Sequence, residues 1–434
     1  MPIVSDSLAL LGGSAVKQSP WPRHPAIGLE ERAEVAEVLD SGPLSGFIAT
    51  SGEPFRGGPK VRKLEAAFQR FFGVEHAVAM NSATSCLHAA VAALRCGPGD
   101  EVLVTPYTMS ASAAAILMCN AVPVFADIEP HYFNMDPAAI QAGITPRTRA
   151  IIVVHLFGHP AAMNEIMALA RAHSLPVIED CSQAPGAYYH GKYAGTLGDI
   201  GVFSLNQNKT ITCGEGGVAV TGNMALAERM RLIRNHGECI VEDLGEVDFT
   251  NMLGWNYRPT ELDAAVAVAQ FGKLNHLTEH RVRLAEHFTA RLAAFPGLTL
   301  PSAAPNCTHV YFAYAMKFDA SVWGIDRDMF VRAMNAEGIP FGAGYVKPLY
   351  WQPMYRTKHL FGSVGCPFRC PHYQGNVSYE PGACPVSERM YLKEVAVTAI
   401  CRYPVSEEEI DEAVQAIEKV WMFRSQLSRT AITS

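Results

Sequence analysis

Short apolar runs alternate with longer amphipathic stretches through the first half of the chain. β-rich runs fall at 77–80, 102–105, 123–125, 150–155, 176–179, 200–204 and 218–221. Stretches with helical spacing of apolar residues lie between several of them, at 84–95, 110–120 and 163–173. Strands and helices alternating at this spacing predict an α/β fold, with a mostly parallel sheet covered on both faces. The last two runs are too close for a helix to cross between them, so at least one strand is predicted to be antiparallel. Two helices are predicted before the first strand, over 28–39 and 61–72. In the second, Leu64, Phe68 and Phe71 share a face.

The pattern changes further on. A helix is predicted over 223–236, and one long helical region over 260–295 that bridges two domains. Past Pro296 the order becomes βαβ-like: a strand near 310–318, a helix near 327–337 and a strand near 341–345, with a final helix over 406–424. Residues 1–28 read as an irregular arm, and 350–384 as a loop rich in Pro, Gly, Tyr and Cys. This divides the chain into a large domain with its arm, 1–275, and a smaller α+β domain, 276–434.

Composition narrows the classes. The chain has 434 residues, 49% hydrophobic and 18% charged, which suits a globular protein of two domains. A net charge of −7 gives no basis for a nucleic-acid partner. No apolar run approaches the roughly 20 residues that a spanning helix needs. The N-terminus lacks the basic start and apolar core of a signal peptide, so the expectation is a cytoplasmic protein with no membrane partner. Eleven cysteines, an odd number, argue against a disulfide framework. Cys86, Cys96 and Cys119 sit inside apolar patterns and read as buried thiols.

The candidate chemistry gathers between residues 179 and 217. Asp180 ends an apolar run, and the carboxyl ends of strands are where open α/β sheets bind ligands. Lys209 follows the run that ends at Ser204 and precedes a turn containing Gly214, Gly216 and Gly217. An acid and a lysine so placed can flank one small charged ring, the arrangement that pyridoxal 5'-phosphate (PLP) requires. The lysine bonds the aldehyde as a Schiff base, and the acid keeps the pyridine nitrogen protonated. Gln183 could reach the same ring. Asn81 to Thr84 opens a helix after the first strand, and free N–H groups with a hydroxyl there make a phosphate site. Ser204 adds a second hydroxyl. Each feature alone has a plainer reading: a solvated lysine, an acid that caps a helix, an ordinary Ser/Thr N-cap. Cys366, Cys370, His372 and Cys384 could supply zinc ligands, but their spacing is not that of paired CxxC motifs and the intervening prolines suit a rigid loop. No metal is expected.

Taken together, the segments resemble the DegT/DnrJ/EryC1/StrS family of PLP-dependent aminotransferases, which act on keto sugars and related cyclic ketones. The matching segments include NSATSCLHAA (81–90), PYTMSASAAAI (106–116), VVHLFGHPAAM (153–163), VIEDCSQAPGA (177–187), GDIGVFSLNQNKTITCGEGGVAVT (198–221) and GWNYRPTELDAAVAVAQ (254–270). The C-terminal third matches more loosely, mainly in GAGYVKPLYWQPMY (342–355).

The resemblance implies the fold of aspartate aminotransferase-like PLP enzymes (fold type I), with a seven-stranded sheet in the large domain. It implies Lys209 as the Schiff-base lysine, Asp180 at the pyridine nitrogen and Gln183 near the ring hydroxyl. Ala83, Thr84 and Ser204 match the phosphate cradle. Asn256 matches a residue that reaches the phosphate from a second subunit, which implies a homodimer with shared active sites. Met109 stands where the family usually has Phe or Trp on the ring face, and Tyr350 where it often has His near the substrate. Relatives with His in place of the lysine act as dehydratases, and Lys209 sets this chain apart from them. The residues NQN before Lys209 resemble those of members that aminate cyclitol ketones such as inososes. A cyclitol or keto-sugar acceptor and a glutamate or glutamine donor are therefore expected.

Overall fold

The structure, a computed structural model, describes residues 7–24, 27–245 and 248–430. Residues 1–6, 25 and 26 of the predicted irregular arm lie outside the described residues.

Seven strands form the larger sheet: β1 (His76–Met80), β2 (Glu101–Val104), β3 (Val122–Phe125), β4 (Thr148–Val154), β5 (Val177–Asp180), β8 (Ile200–Ser204) and β9 (Gly217–Thr221). The short hairpin of β6 (Tyr188–Tyr189) and β7 (Lys192–Tyr193) stands apart. The sheet order is β1-β9-β8-β5-β4-β2-β3. Only β9 runs against its neighbours, pairing antiparallel with β1 and β8. It is the antiparallel strand that the short spacing predicted. Because β8 turns straight back into β9, the loop that carries Lys209 stays at the carboxyl end of β8, beside that of β5.

Strands β1, β5, β8 and β9 are buried at every position. This explains their largely apolar sequences, since helices cover both faces; the titratable exceptions are His76 at the start of β1 and the two acids that end β5. Val78, Val104, Ile152, Ile178 and Val202 pack on one face against the Ala-rich helix Ala83–Ala93 and helix Ala111–Met118. Ala77, Ala79, Phe203 and Val218 point the other way, towards helices Pro59–Phe72 and Glu261–Gly272. In helix Pro59–Phe72 the buried Val61, Leu64, Phe68 and Phe72 repeat at helical spacing. Phe68 stacks on Phe271 with ring centroids 4.2 Å apart.

The single helix expected over 260–295 is two helices, Glu261–Gly272 and Leu274–Leu292. The backbone N–H of Lys273 turns back to the Gln270 carbonyl at 3.0 Å, and its ammonium bonds Glu31 at 2.7 Å. A one-residue break leaves the apolar repeat nearly in phase, so the pattern did not register it. The second helix does join two cores. Leu274 and Leu277 pack with the large sheet, while Leu284, Phe288 and Leu292 pack with the second.

The second sheet holds β10 (Leu298–Thr299), β11 (Tyr314–Phe318), β12 (Gly342–Ala343) and β13 (Val395–Thr398), in the order β10-β11-β13-β12. Both β11 and β12 pair antiparallel with β13, so they run in the same direction with β13 between them. The predicted βαβ unit is thus split by a strand that the sequence reading lacked. Leu8 from the N-terminal arm lies in this core. Glu337 fixes the arm, accepting from the backbone N–H groups of Ala9 (2.8 Å) and Val16 (3.1 Å) and pairing with buried Lys419 at 2.9 Å. Residues 349–384 pack the other way, sending Tyr350, Tyr355, Phe368 and Tyr379 into the core of the large sheet.

Candidate active site

The end of β5 presents two acids to opposite faces of the sheet, as strand alternation requires. Glu179 is fully buried. One of its carboxylate oxygens accepts from the N–H groups of Leu197 (2.7 Å) and Gly198 (2.6 Å), and the other from Gly195 N–H (2.8 Å) and His155 Nε2 (2.9 Å). His155 Nδ1 accepts from Ala161 N–H, which assigns the ring proton to Nε2 and leaves the imidazole neutral. Cys181 Sγ lies within 4.8 Å of these groups, but Glu179 already holds four donors. The cluster is a closed hydrogen-bonded knot.

Asp180 is 4% exposed on the other face. It accepts from Ser112 Oγ at 2.8 Å and from the backbone N–H of Ser182 at 3.1 Å. Each oxygen keeps acceptor capacity. Gln183 is held on both sides of its amide: Oε1 accepts from Phe157 N–H at 2.7 Å, and Nε2 donates to the Tyr345 hydroxyl at 2.8 Å. Phe157 and Tyr345 both have left-handed backbones, φ 56° and 61°, uncommon for bulky residues. Their rings meet edge to face at 4.8 Å. Burial pushes the Tyr345 phenol up to about 12.

Lys209 leaves the β8–β9 loop with a half-buried side chain. Its Nζ lies 4.7 Å from the centroid of the Phe312 ring. Burial pulls the amine pKa below its usual value, and the charge of Asp180 pushes back. His24 Nε2 contacts the Lys209 carbonyl at 3.2 Å.

Helix Ala83–Ala93 starts beside the ends of three strands. Ser82 caps it, accepting from Ser85 N–H at 3.0 Å. The N–H groups of Ala83 and Thr84 have no partner within the helix and point out of its start. Gly217 pairs with Met80 on one side and Ser204 on the other. A Cβ added to Gly217 would lie 2.5 Å from Ala83 N, so only glycine lets β9 approach the helix start this closely. The fold thereby brings Ala83, Thr84 and Ser204 to one edge, and Asp180 pairs with Val202 two residues before Ser204. Asn256 is exposed next to that edge. Its carbonyl accepts from Asn81 Nδ2 at 3.3 Å and its side-chain oxygen from Arg258 Nε at 2.8 Å. Met109 is 61% exposed, just before helix Ala111–Met118.

One expectation changes. Tyr350 was expected near substrate, but it is fully buried. Its hydroxyl donates to Glu388 at 2.5 Å and accepts from Cys384 N–H at 3.3 Å. These bonds tie the 349–388 segment together. Cys366, Cys370, His372 and Cys384 do not converge as a ligand set among the described residues. Cys384 Sγ points instead at the Phe125 carbonyl, 3.9 Å away. Sequence reasoning missed Ser112, Tyr345, Phe312 and His24. The first two lie inside segments that carried the resemblance, where their presence was the available signal.

The mostly parallel seven-stranded sheet thus carries Asp180 at the end of one strand and Lys209 in the loop after the next. The DegT/DnrJ/EryC1/StrS aminotransferase family pattern matches residues 29–368, and the chain belongs to this family. A curated relative from Streptoalloteichus tenebrarius is 34% identical over 426 residues, spanning 96% of this chain and 98% of its own. It is provisionally named L-glutamine:3-amino-2,3-dideoxy-scyllo-inosose aminotransferase. Among solved structures, an aminotransferase from Psychrobacter cryohalolentis superposes with a TM-score of 0.79 at 29% identity, covering 93% of this chain and 99% of that one. DesV of S. venezuelae, solved in complex with a ketimine intermediate, gives 0.74 at 30% identity, covering 91% and 94%. No helix among the described residues is long and apolar enough to cross a membrane.

Proposed function

We propose that this aminotransferase uses pyridoxal 5'-phosphate to move an amino group from glutamine or glutamate to a cyclitol ketone. The observation that carries the cofactor reading is Asp180, anchored by Ser112 at 2.8 Å, lying near enough for its charge to act on the Lys209 amine that burial makes less basic. The acceptor reading rests on the inosose aminotransferase relative and on the NQN residues before Lys209.

The residues fit the group. Asp180 has acceptor capacity for a pyridinium N–H. Gln183 keeps one amide hydrogen beyond its bond to Tyr345, enough for a ring hydroxyl. The helix start that Gly217 lets approach offers N–H donors to a phosphate, with Ser204 alongside. When bound, the cofactor supplies an aldehyde and an electron-withdrawing ring. The protein supplies the rest. Asp180 holds the proton on the ring nitrogen, and Ser112 and the Ser182 N–H keep its carboxylate aimed. Ala83, Thr84 and Ser204 bind the phosphate. Exposed Met109 would offer its polarizable thioether to a ring face. Lys209 would carry the lysine role: its amine, made less basic by burial, would take the proton from the donor's α-carbon in the first half of the exchange and deliver one to the acceptor's carbon in the second. Asn256 reaches the phosphate site of a second copy in a homodimer. Exposed Leu44, Ile48, Leu253 and Trp255 offer apolar contact surface for that copy.

The test is a glutamine donor labelled with nitrogen-15 on its α-amino group, supplied with a scyllo-inosose-type ketone. The label is expected in the cyclitol amine. Lys209→Ala is expected to abolish both transfer and the visible absorbance of the holoenzyme. An unlabelled, deoxygenated product would instead identify a dehydratase, and transfer by Lys209→Ala would refute the lysine assignment.

A further inference from the structure

The segment His309–Phe312 is held more firmly than a connection requires. Tyr311 has φ 47°, a left-handed backbone that a bulky residue adopts only when its surroundings impose it. The Tyr311 N–H donates to His309 Nδ1 at 3.0 Å, and the Val310 N–H donates to the Gly158 carbonyl at 2.9 Å. A Cβ at Gly158 would lie 3.0 Å from Phe312 N and 2.8 Å from the Val310 side chain. From the third side comes Arg281 on helix Leu274–Leu292, 3% exposed. Its Nη1 donates to the carbonyls of Tyr311 (3.2 Å) and Phe312 (3.0 Å).

No carboxylate forms an ion pair with Arg281 among the described residues. Burial lowers its guanidinium to about 10, so it stays charged at neutral pH. A buried cation is costly without good partners. Here its partners are two carbonyls of one strained turn. What that turn delivers is the Phe312 ring, half-buried, with its centroid 4.7 Å from Lys209 Nζ.

We propose that Phe312 is a positioning residue for Lys209, fixed in place by Arg281, and that its ring face holds the free lysine amine beside the cofactor site. The proposal rests on the reading of Lys209 as the cofactor's lysine. The negative face of an aromatic ring attracts an ammonium group, most strongly where water is excluded. Desolvation opposes the charge, as it does for any buried lysine. The ring therefore keeps a defined place for an amine that burial makes easy to deprotonate, and releases it on neutralisation. The other charged and titratable groups around Lys209 are Asp180, whose charge favours the ammonium, and His24 on its carbonyl, with Arg281 and Arg402 beyond His24.

The experiment uses the cofactor-free full-length protein. Trace acetylation with acetic anhydride across pH, read by peptide mass spectrometry, reports the titration of the Lys209 amine itself. In Phe312→Leu and Phe312→Met the apolar bulk remains and the ring is lost. The Lys209 midpoint is expected to fall by about half to one pH unit in both. Phe312→Tyr keeps the ring and is expected to titrate with the wild type. Arg281→Lys is expected to shift the midpoint in the same direction as Phe312→Leu. Circular dichroism checks that each variant is folded. Coincident titrations of the wild type, Leu and Met proteins would overturn the proposal. Uptake of pyridoxal phosphate on Lys209 is measured separately, by borohydride reduction and peptide mapping of the wild type. Failure there sinks the cofactor reading, and the acetylation result still decides the role of Phe312.

Discussion

The two faces of the sheet at the end of β5 carry adjacent acids with opposite fates. On one face Glu179 accepts four N–H donors and is closed to anything else. On the other Asp180 accepts two and keeps capacity. Burial does not separate them, because they are 0% and 4% exposed. What separates them is how much hydrogen-bonding capacity the fold has already used. A saturated acid organises its neighbours. An unsaturated one at a strand's carboxyl end can hold a cationic ligand.

Two tyrosines repeat the lesson. Tyr350 uses its hydroxyl as donor to Glu388 and acceptor from Cys384, so it serves the packing of 349–388. Tyr345 accepts one hydrogen bond, from Gln183, and its own proton remains available.

This contrast can be broken by experiment. Asp180→Ala is expected to lower kcat by about a thousandfold, with a change in stability of only about 1 kcal/mol. Steady-state kinetics and urea unfolding measure the two. Glu179→Ala is expected to do the reverse in origin, destabilising the fold by about 3–5 kcal/mol because four buried donors lose their acceptor. A stable but inactive Glu179→Ala protein would show that the two faces are not divided as described. The tyrosines give a finer comparison. Tyr350→Phe is expected to lose about 1–3 kcal/mol of stability in urea with kcat close to wild type. Tyr345→Phe should instead lower kcat by about tenfold through a looser Gln183, with a stability loss of about 1 kcal/mol. The smallest effect is expected for Ser112→Ala, a drop in kcat of about three- to tenfold as Asp180 loses one of its two donors. An effect as large as that of Asp180→Ala would mean that Ser112 takes a direct part in the chemistry.

Much of the large sheet was legible because its strands hold short apolar runs and its helices keep a helical repeat. The close spacing of the last runs predicts at least one antiparallel strand, and β9 is that strand. Strand β13 was missed because Val395–Thr398 is a four-residue run with no flanking signal of its own. The break at Lys273 was missed because one residue barely disturbs an apolar repeat.

By itself the sequence determined which residues lie at strand ends and helix starts, because side-chain direction within one element follows from its period. That was enough to single out Asp180, Lys209, Ser204 and Thr84. Only the tertiary structure decided which distant groups complete them: Ser112 on Asp180, Tyr345 on Gln183, Arg281 behind Phe312 and Phe312 beside Lys209. It also decided that Glu179 is saturated while Asp180 is not. Hydrogen-bond capacity is consumed by partners far apart in the chain, and no local pattern records which of them the packing will bring within 3 Å.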